Sequence, residues 1–227
     1  MHREHRLDIE FFLKERTRFI KYYYENGVAP FEKIMFLIES ELEPYVPPYS
    51  EDSEPAFLAE WIDAQTAFEA VGHTAISMLS SSIQLFLAEW LNQISHSSRV
   101  EIEVNFKKNG GLRQCAEIFE KLGMKPNPCP ANIDLIEQIF LVRNRVQHPE
   151  KITSLRVEHA EKDLRKYPRP FFARESESAF LLKTNKLNNW LFPPTVEATR
   201  EMVEESILHA ELFCSWLDSE YWKCRKA

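Results

Sequence analysis

The chain has 227 residues, of which 44% are hydrophobic and 12% aromatic, so it can bury a core and fold as one large domain or as one domain with a helical annex. Its net charge of −7 argues against a general nucleic-acid coat, because sequence-independent affinity for phosphate comes from Lys and Arg. The four cysteines form no C-x-x-C pair, which argues against a zinc ribbon or a dense disulfide framework and favours free thiols in a reducing compartment.

The N-terminal residues carry charges every few positions, so they contain no apolar stretch long enough for a signal peptide. No later segment resembles the long apolar run of a membrane span. The sequence therefore predicts a cytoplasmic protein that does not associate with a membrane.

The first elements are predicted to be helices. Residues 3–25 mix apolar and charged residues with a helical period, and Gly27 supplies a stop, after which residues 31–42 form a second apolar set. The stretch "EPYVPPYSEDSEP" cannot continue a helix because of its prolines, serines and acids. We therefore predict an N-terminal helical extension over residues 1–53 and a helical bundle domain over residues 54–227.

The bundle domain begins with a helical pattern of roughly forty residues after Pro55. At about 1.5 Å per residue it would reach on the order of 60 Å, so one helix and two consecutive helices divided at Gly72 are both open. Further helices are predicted at 112–122, closed by Gly123, at 132–147, and from 195 to about 222, capped by Thr195.

Two short stretches have strand periodicity. "RVEIEVNF" alternates apolar and polar residues, and "AFLLKTNKLNNWLF" has the pattern of a hairpin that turns near Asn185. Both are minor beside the helices. The predicted fold class is therefore all-α, a helical bundle with an N-terminal helical extension and a minor β-hairpin.

The segment "FLVRNRVQHPE", residues 140–150, places polar residues at the end of an apolar helix. On a helical wheel Arg143 falls in the middle of the apolar stripe, where a guanidinium is costly to bury unless it is paired, hydrogen-bonded or at an interface. Asn144 and His148 share the edge of that stripe, while Arg145 falls about 160° from Arg143. Pro149 predicts that the helix ends at His148.

The stretch "RNRVQH" resembles the R-N-x-x-x-H signature of the HEPN superfamily, with Arg143, Asn144 and His148 at the matching positions. Asn directly after Arg and exactly three residues before His is expected by chance roughly 0.02 times in a chain of this composition. The resemblance implies an all-helical HEPN-like bundle. It also implies a metal-independent endoribonuclease of toxin–antitoxin or antiviral defence systems, working as a homodimer in which both motif helices face one cleft.

The chemistry of RNA cleavage without a metal explains those residue types. The reaction needs a base for the 2′-hydroxyl proton, an acid for the departing 5′-oxygen and a cation for the charge on phosphorus. His148 suits either proton transfer and Arg143 suits the cation, while Asn144 would orient the phosphate or the histidine. One copy supplies one histidine, so the resemblance points to a homodimer through the motif helix.

A second reading of the same residues is structural. Arg143 would then form a buried salt bridge, for example with a glutamate of the long helix, and Asn144 and His148 would make hydrogen bonds at the helix end. The chain would be a non-catalytic HEPN-like helical module that binds protein, such as an antitoxin, or RNA.

One basic segment stands out in this acidic chain. From Arg143 to Arg174 there are nine Lys or Arg and four Asp or Glu, a local charge of +5 that leaves −12 elsewhere. Cations interleaved with aromatic rings suit single-stranded RNA. The predicted RNA-binding residues are Arg165, Lys166, Tyr167, Arg169, Phe171, Phe172 and Arg174. The alternative is a proline-stiffened loop whose aromatic residues pack on the bundle.

Other candidate sites are weaker. His73 is better explained as a packed helix histidine, and His209 and Cys214 do not share a face well enough for a metal pair. The chain has no glycine-rich phosphate loop, no G-x-S-x-G and no H-E-x-x-H. No cofactor and no metal are therefore predicted.

Overall fold

The computed structural model describes residues 8–49, 54–98, 112–149, 156–174 and 194–226, and these ranges are mostly helical, as the all-α prediction requires. Their helices are α1 (Ile9–Glu39), α2 (Leu58–Ser98), α3 (Leu112–Lys121), α4 (Ile133–Gln147), α5 (Glu161–Lys166) and α6 (Arg200–Lys226). The two stretches predicted as β structure, residues 99–106 and 179–192, lie outside the described residues. Among the described residues, the β pairing is an isolated bridge between Glu158 and Thr195.

The N-terminal segment forms one helix, so the predicted stop at Gly27 is wrong. Helix α1 starts after Asp8, whose side chain accepts a hydrogen bond from the backbone N–H of Phe11, and it runs through Gly27 and Pro30. A β-carbon at position 27 would lie 2.8 Å from Cγ1 of Val71. This glycine therefore allows α1 to approach α2 closely and does not end the helix.

The long apolar segment is a single helix of 41 residues, so it is not divided into two helices at Gly72. A β-carbon at Gly72 would lie 2.7 Å from the backbone carbonyl oxygen of Ala198. The glycine makes room for the chain that leads into α6, and the helix passes through it without a break.

Helices α1 and α2 form an antiparallel hairpin, since Glu39 pairs with Trp61 and Arg16 pairs with Ser82. Helix α6 runs antiparallel to α1: the hydroxyl of Thr17 donates to Glu211, and Lys21 forms an ion pair with Glu204. Helix α4 packs on α2 and α6.

The core is one hydrophobic cluster that draws on α1, α2, α3, α4 and α6. Trp90 is one of its largest fully buried side chains, and the ring centroids of Phe119 and Tyr221 each lie 6.2 Å from that of Trp90. The connection between α1 and α2 is non-helical where it is described, as its prolines predict. Residues of α1 nevertheless share the common core, so this helix packs as part of the bundle.

The remaining helix ends test the capping predictions. Helix α3 ends before Gly123, whose φ of 67° is the left-handed conformation expected of a closing glycine, and α4 has the predicted bounds within one residue. The predicted cap at Thr195 is wrong, because Thr195 takes part in the isolated bridge. Helix α6 begins five residues later, where the hydroxyl of Thr199 accepts from the N–H of Met202.

Helix α2 contradicts the prediction that no segment resembles the apolar run of a membrane span. By length and composition it is apolar enough to cross a membrane, but more than half of its most apolar stretch is buried inside the protein. Such burial is typical of the central helix of a bundle. The cytoplasmic location stays a prediction.

Candidate functional site

Helix α4 presents two different faces to its surroundings. Its buried residues include Ile136, Ile139 and Phe140, which belong to the common core. Its first turn is capped by Asn132, whose side chain accepts from the N–H of Leu135 at 3.1 Å. The helix is thus fixed at its N-terminus and along its apolar face, and it carries Arg143, Asn144 and His148 at its C-terminal end.

Arg143 lies half-buried, as its wheel position predicts. Its Nη1 donates to Oδ1 of Asn144 at 3.0 Å, and its buried Nε has no hydrogen-bond partner. Among the described residues no carboxylate lies within ion-pair distance of this guanidinium. The salt bridge to a glutamate of α2, one of the two readings of the sequence, is therefore not formed.

His148 is the C-cap of α4, where the helix was predicted to end. Its backbone N–H donates to the carbonyl oxygen of Asn144 at 3.0 Å, its side chain is exposed, and the ring has no hydrogen-bond partner among the described residues. Asn144 thus contacts both other motif residues, Arg143 through its side chain and His148 through its backbone. The exposed imidazole can meet a ligand or a second protein chain.

Arg145 lies on the opposite face of α4 from Arg143, as predicted, but it is not a solvated residue. Its Nε is 3.5 Å from Oδ2 of Asp163, and the side chains of the two residues are only 17% and 11% exposed. This ion pair joins α4 to α5. Arg145 is thus paired with a carboxylate, whereas Arg143, two positions earlier, has none among the described residues.

Three of the four cations of the predicted RNA-binding segment are paired with carboxylates of the protein. Lys166 pairs with the buried carboxylate of Glu137, and Arg174 contacts Glu69 at 3.2 Å and Glu197 at 3.3 Å. Arg165 pairs with Glu161 at 2.5 Å on the surface of α5. Arg169 is exposed and has no ion-pair partner among the described residues.

The rings of this segment also pack inward. Phe172 is fully buried at 0% exposure, and the half-buried Phe171 lies against it edge to face, with ring centroids 5.0 Å apart. Tyr167 is half-buried, and the ammonium of Lys166 lies 5.3 Å from its ring centroid. Phe172 is therefore not accessible to a nucleobase. Of the predicted RNA-binding residues, Arg165, Lys166 and Arg169 are exposed, and their role in RNA binding stays a prediction.

A groove that the sequence analysis missed lies between α1 and α2, beside the end of α4. It has a volume of about 690 Å³, and its lining includes Phe12, Arg16, Phe19, Ser77, Ser81 and Gln147. The available signal was the spacing of an aromatic residue, an arginine and a second aromatic residue on one face of α1. That signal is weak until the facing helix is known.

Each described histidine outside the motif forms a hydrogen bond with the backbone through a ring nitrogen; these are His73, His96, His159 and His209. Nε2 of the buried His73 lies 2.9 Å from the carbonyl oxygen of Val196, which can only accept, so the ring carries its proton there and packs as predicted. Nδ1 of His209 accepts from the N–H of Asn132 at 3.0 Å. Over the described residues no group of three or more His, Cys, Asp or Glu could hold a metal ion.

Comparison of the chain with protein-family models, with curated proteins and with solved structures finds no match. The resemblance to the HEPN superfamily therefore depends on the motif, and on its location at the end of an apolar helix in a mostly helical chain.

Proposed function

We propose that this protein is a metal-independent endoribonuclease of the HEPN type, acting as a homodimer. The observation that carries the proposal is the state of Arg143: a half-buried guanidinium on the apolar side of α4, which has no carboxylate and no partner for its buried Nε among the described residues. A charged group left in this state costs free energy unless a ligand or a partner satisfies it. A phosphate would compensate the charge of this guanidinium.

His148 supplies the proton transfer in this proposal. Cleavage proceeds when the 2′-oxygen attacks phosphorus and the 5′-oxygen leaves, so a proton is removed from the first oxygen and another is given to the second. A histidine exchanges protons near neutral pH, and the exposed ring of His148 is accessible to RNA. The bond from Arg143 to Asn144 ties the guanidinium to the residue one helical turn before His148.

A dimer completes the site, because one chain supplies one motif histidine and the reaction has two proton transfers. A twofold interface through α4 would bring two copies of Arg143 and His148 to one cleft. Sedimentation at micromolar concentration should then show a dimer. A monomer over that range would contradict the composite site.

Cleavage of single-stranded RNA in excess EDTA tests the proposal directly. Fragments should end in 2′,3′-cyclic phosphate, and His148→Ala should lose about 10²–10⁴-fold in rate, the usual scale for removing a positioned acid or base. The matched control is His96→Ala, which removes another exposed histidine from the last turn of a helix. Each variant needs an unfolding curve, since a helix C-terminal histidine can contribute about 0.3–1 kcal/mol through the helix dipole. Equal rates for His148→Ala and the wild type would remove His148 from the mechanism.

The second candidate function is a non-catalytic helical module that binds another protein, such as an antitoxin. The observation that favours it is the exposed aromatic surface of α1, where Phe11, Tyr22 and Phe36 are each more than half exposed. No cleavage by wild-type protein, together with saturable binding of a protein partner that Tyr22→Ala weakens, would select this function. For both candidate functions, a role of this protein in toxin–antitoxin or defence systems is part of what we propose.

A further inference from the structure

The groove between α1 and α2 has the size of a small-molecule site. Its volume of about 690 Å³ falls within the range of about 300–1,000 Å³ that is typical of ligand pockets. Gln147, which precedes His148, forms part of its wall. A ligand in this groove would therefore lie directly beside the C-terminal end of α4.

Two aromatic rings flank the groove on the α1 side. Phe12 and Phe19 are 53% and 55% exposed, and they stand two helical turns apart on one face of α1. Both rings are thus available to stack on a planar ligand. Nucleobases stack on such rings regardless of sequence, because every base has a π-face.

The groove carries an uncompensated positive charge. Nε of Arg16 donates to the hydroxyl of Ser82 at 3.3 Å, and among the described residues no carboxylate lies within ion-pair distance of its guanidinium. Glu15 also lines the groove, but its carboxylate is 2.6 Å from the guanidinium of Arg18. The remaining charge of Arg16 suits an anionic ligand.

The opposite wall, on α2, offers hydrogen-bond acceptors. Thr74 and Ser81 donate their hydroxyl protons to carbonyl oxygens of their own helix, at 2.8 and 3.0 Å, so their oxygens can still accept, whereas the oxygen of the buried Ser82 already accepts from Arg16. The hydroxyl of Ser77 is buried without a partner. Acceptors on this wall suit the amino and imino N–H groups of a base.

We propose that this groove binds one nucleotide of single-stranded RNA, with the base against Phe12 and Phe19 and a phosphate on Arg16. The inference rests on the proposed function for its substrate, since it places that nucleotide next to the one cleaved at the motif. A second copy of this chain is the competing occupant, and it would bury the same two rings.

Binding of a non-cleavable RNA separates the groove from the catalytic chemistry. The probe is a fluorescein-labelled 2′-O-methyl hexanucleotide, which lacks the attacking hydroxyl, and its affinity is measured by fluorescence anisotropy. Phe19→Ala should weaken binding by about 5–150-fold, the scale of one base–aromatic stack. Arg16→Gln should weaken it by about 10-fold and lower the salt dependence by about one phosphate.

Matched controls come from the same helix. Phe36→Ala removes another ring that is more than half exposed, and Lys14→Gln removes a neighbouring cation that already pairs with Glu10, a residue outside the groove. Both should retain wild-type affinity, and all four substitutions are at exposed positions, so folding should be preserved. Equal weakening by the controls, or a change in sedimentation without a change in affinity for the Phe19 and Arg16 variants, would overturn the nucleotide proposal.

His148→Ala distinguishes failure of the groove from failure of the nuclease. If this variant binds the probe like the wild type and neither protein cleaves RNA, the groove stands and the nuclease proposal falls. If the wild type cleaves RNA while groove variants bind and cleave normally, the groove proposal falls alone. Absence of probe binding by the wild type overturns the groove proposal in every case.

Discussion

Replacing Arg145 and Arg143 one at a time should separate a stabilising role from a functional one. We consider Arg145→Met and Arg143→Met, because methionine keeps much of the apolar stem and removes the charge. Arg145 joins α4 to α5 through Asp163. Among the described residues, Arg143 hydrogen-bonds to its neighbour Asn144, and its Nε has no partner.

The expected magnitude follows from burial. Exposed ion pairs contribute about 0–1 kcal/mol, and removing one partner of a fully buried pair costs about 3–5 kcal/mol. The Arg145 and Asp163 side chains are 17% and 11% exposed, so Arg145→Met should cost roughly 1–3 kcal/mol, between these limits. In a chain of this length that lowers Tm by about 2–10 °C. Arg143→Met should change stability by less than about 1 kcal/mol, since it removes an unsatisfied buried donor.

Thermal unfolding of both variants, with RNA cleavage measured well below the lower Tm, provides the test. Arg145→Met should be less stable and retain activity, while Arg143→Met should be stable and lose activity. A double-mutant cycle with Asp163→Asn isolates the ion pair, and its coupling energy should account for most of the loss. If Arg143→Met destabilises the protein as much as Arg145→Met does, Arg143 is a structural residue and the main support for the nuclease disappears.

Gly72→Ala should destabilise the protein by about 1–3 kcal/mol in urea, because the new methyl group would lie 2.7 Å from a backbone carbonyl oxygen. Burial raises the pKa of Tyr24 from 10.0 to about 12. Stability should therefore be retained below pH 10 and fall between pH 10 and about 12, where only the unfolded chain has lost the phenolic proton, and Tyr24→Phe should flatten this loss. If Arg16, Arg143 and Arg169 make the phosphate contacts, the logarithm of RNA affinity against that of salt should have a slope of about −2, and a slope near zero would contradict this.

The helices could be predicted because their signals are local. The 3.6-residue period locates α2 and α4, Pro149 fixes the end of α4, and Gly123 has the left-handed conformation of a closing residue. The motif residues were placed correctly for the same reason, since their positions on one helix follow from helical geometry alone. Their convergence across a dimer interface does not follow from local geometry and stays a prediction.

The misplaced features depend on contacts between segments far apart in the sequence. Gly27 was predicted to end a helix, but in the structure Val71 packs against it. Thr195 was predicted to cap a helix, but it forms a bridge with Glu158. The same residue type can end or cap a helix, or can serve a contact with a distant segment. A glycine that relieves crowding between two helices cannot be distinguished from a helix terminator by its neighbours in the chain.

The basic segment shows why local charge is a poor guide to surface charge. Arg174 pairs with Glu69, which is 105 residues away, and Lys166 pairs with Glu137, which is 29 residues away. The acidic remainder of the chain thus neutralises cations that looked available to RNA. The groove was missed for a related reason, because its two walls come from separate helices and neither wall suggests a site alone.

The distribution of unpaired charge narrows where an anion can bind. The chain has 35 acidic residues and 28 basic ones, so carboxylates outnumber cations. On the face of α4 toward α5, Arg145 and Glu137 each form an ion pair with a residue of α5. Arg143 and Arg16 have none among the described residues, and both lie near Gln147: Arg143 is one helical turn before it, and Arg16 lines the same groove. Other described cations also lack a carboxylate, Arg169 and Arg225 among them, so it is the location of Arg16 and Arg143 near one end of α4, together with the buried Nε of Arg143, that favours an anionic ligand. A polyanion with aromatic groups would satisfy both arginines and the exposed rings of α1 together, and single-stranded RNA has that chemistry.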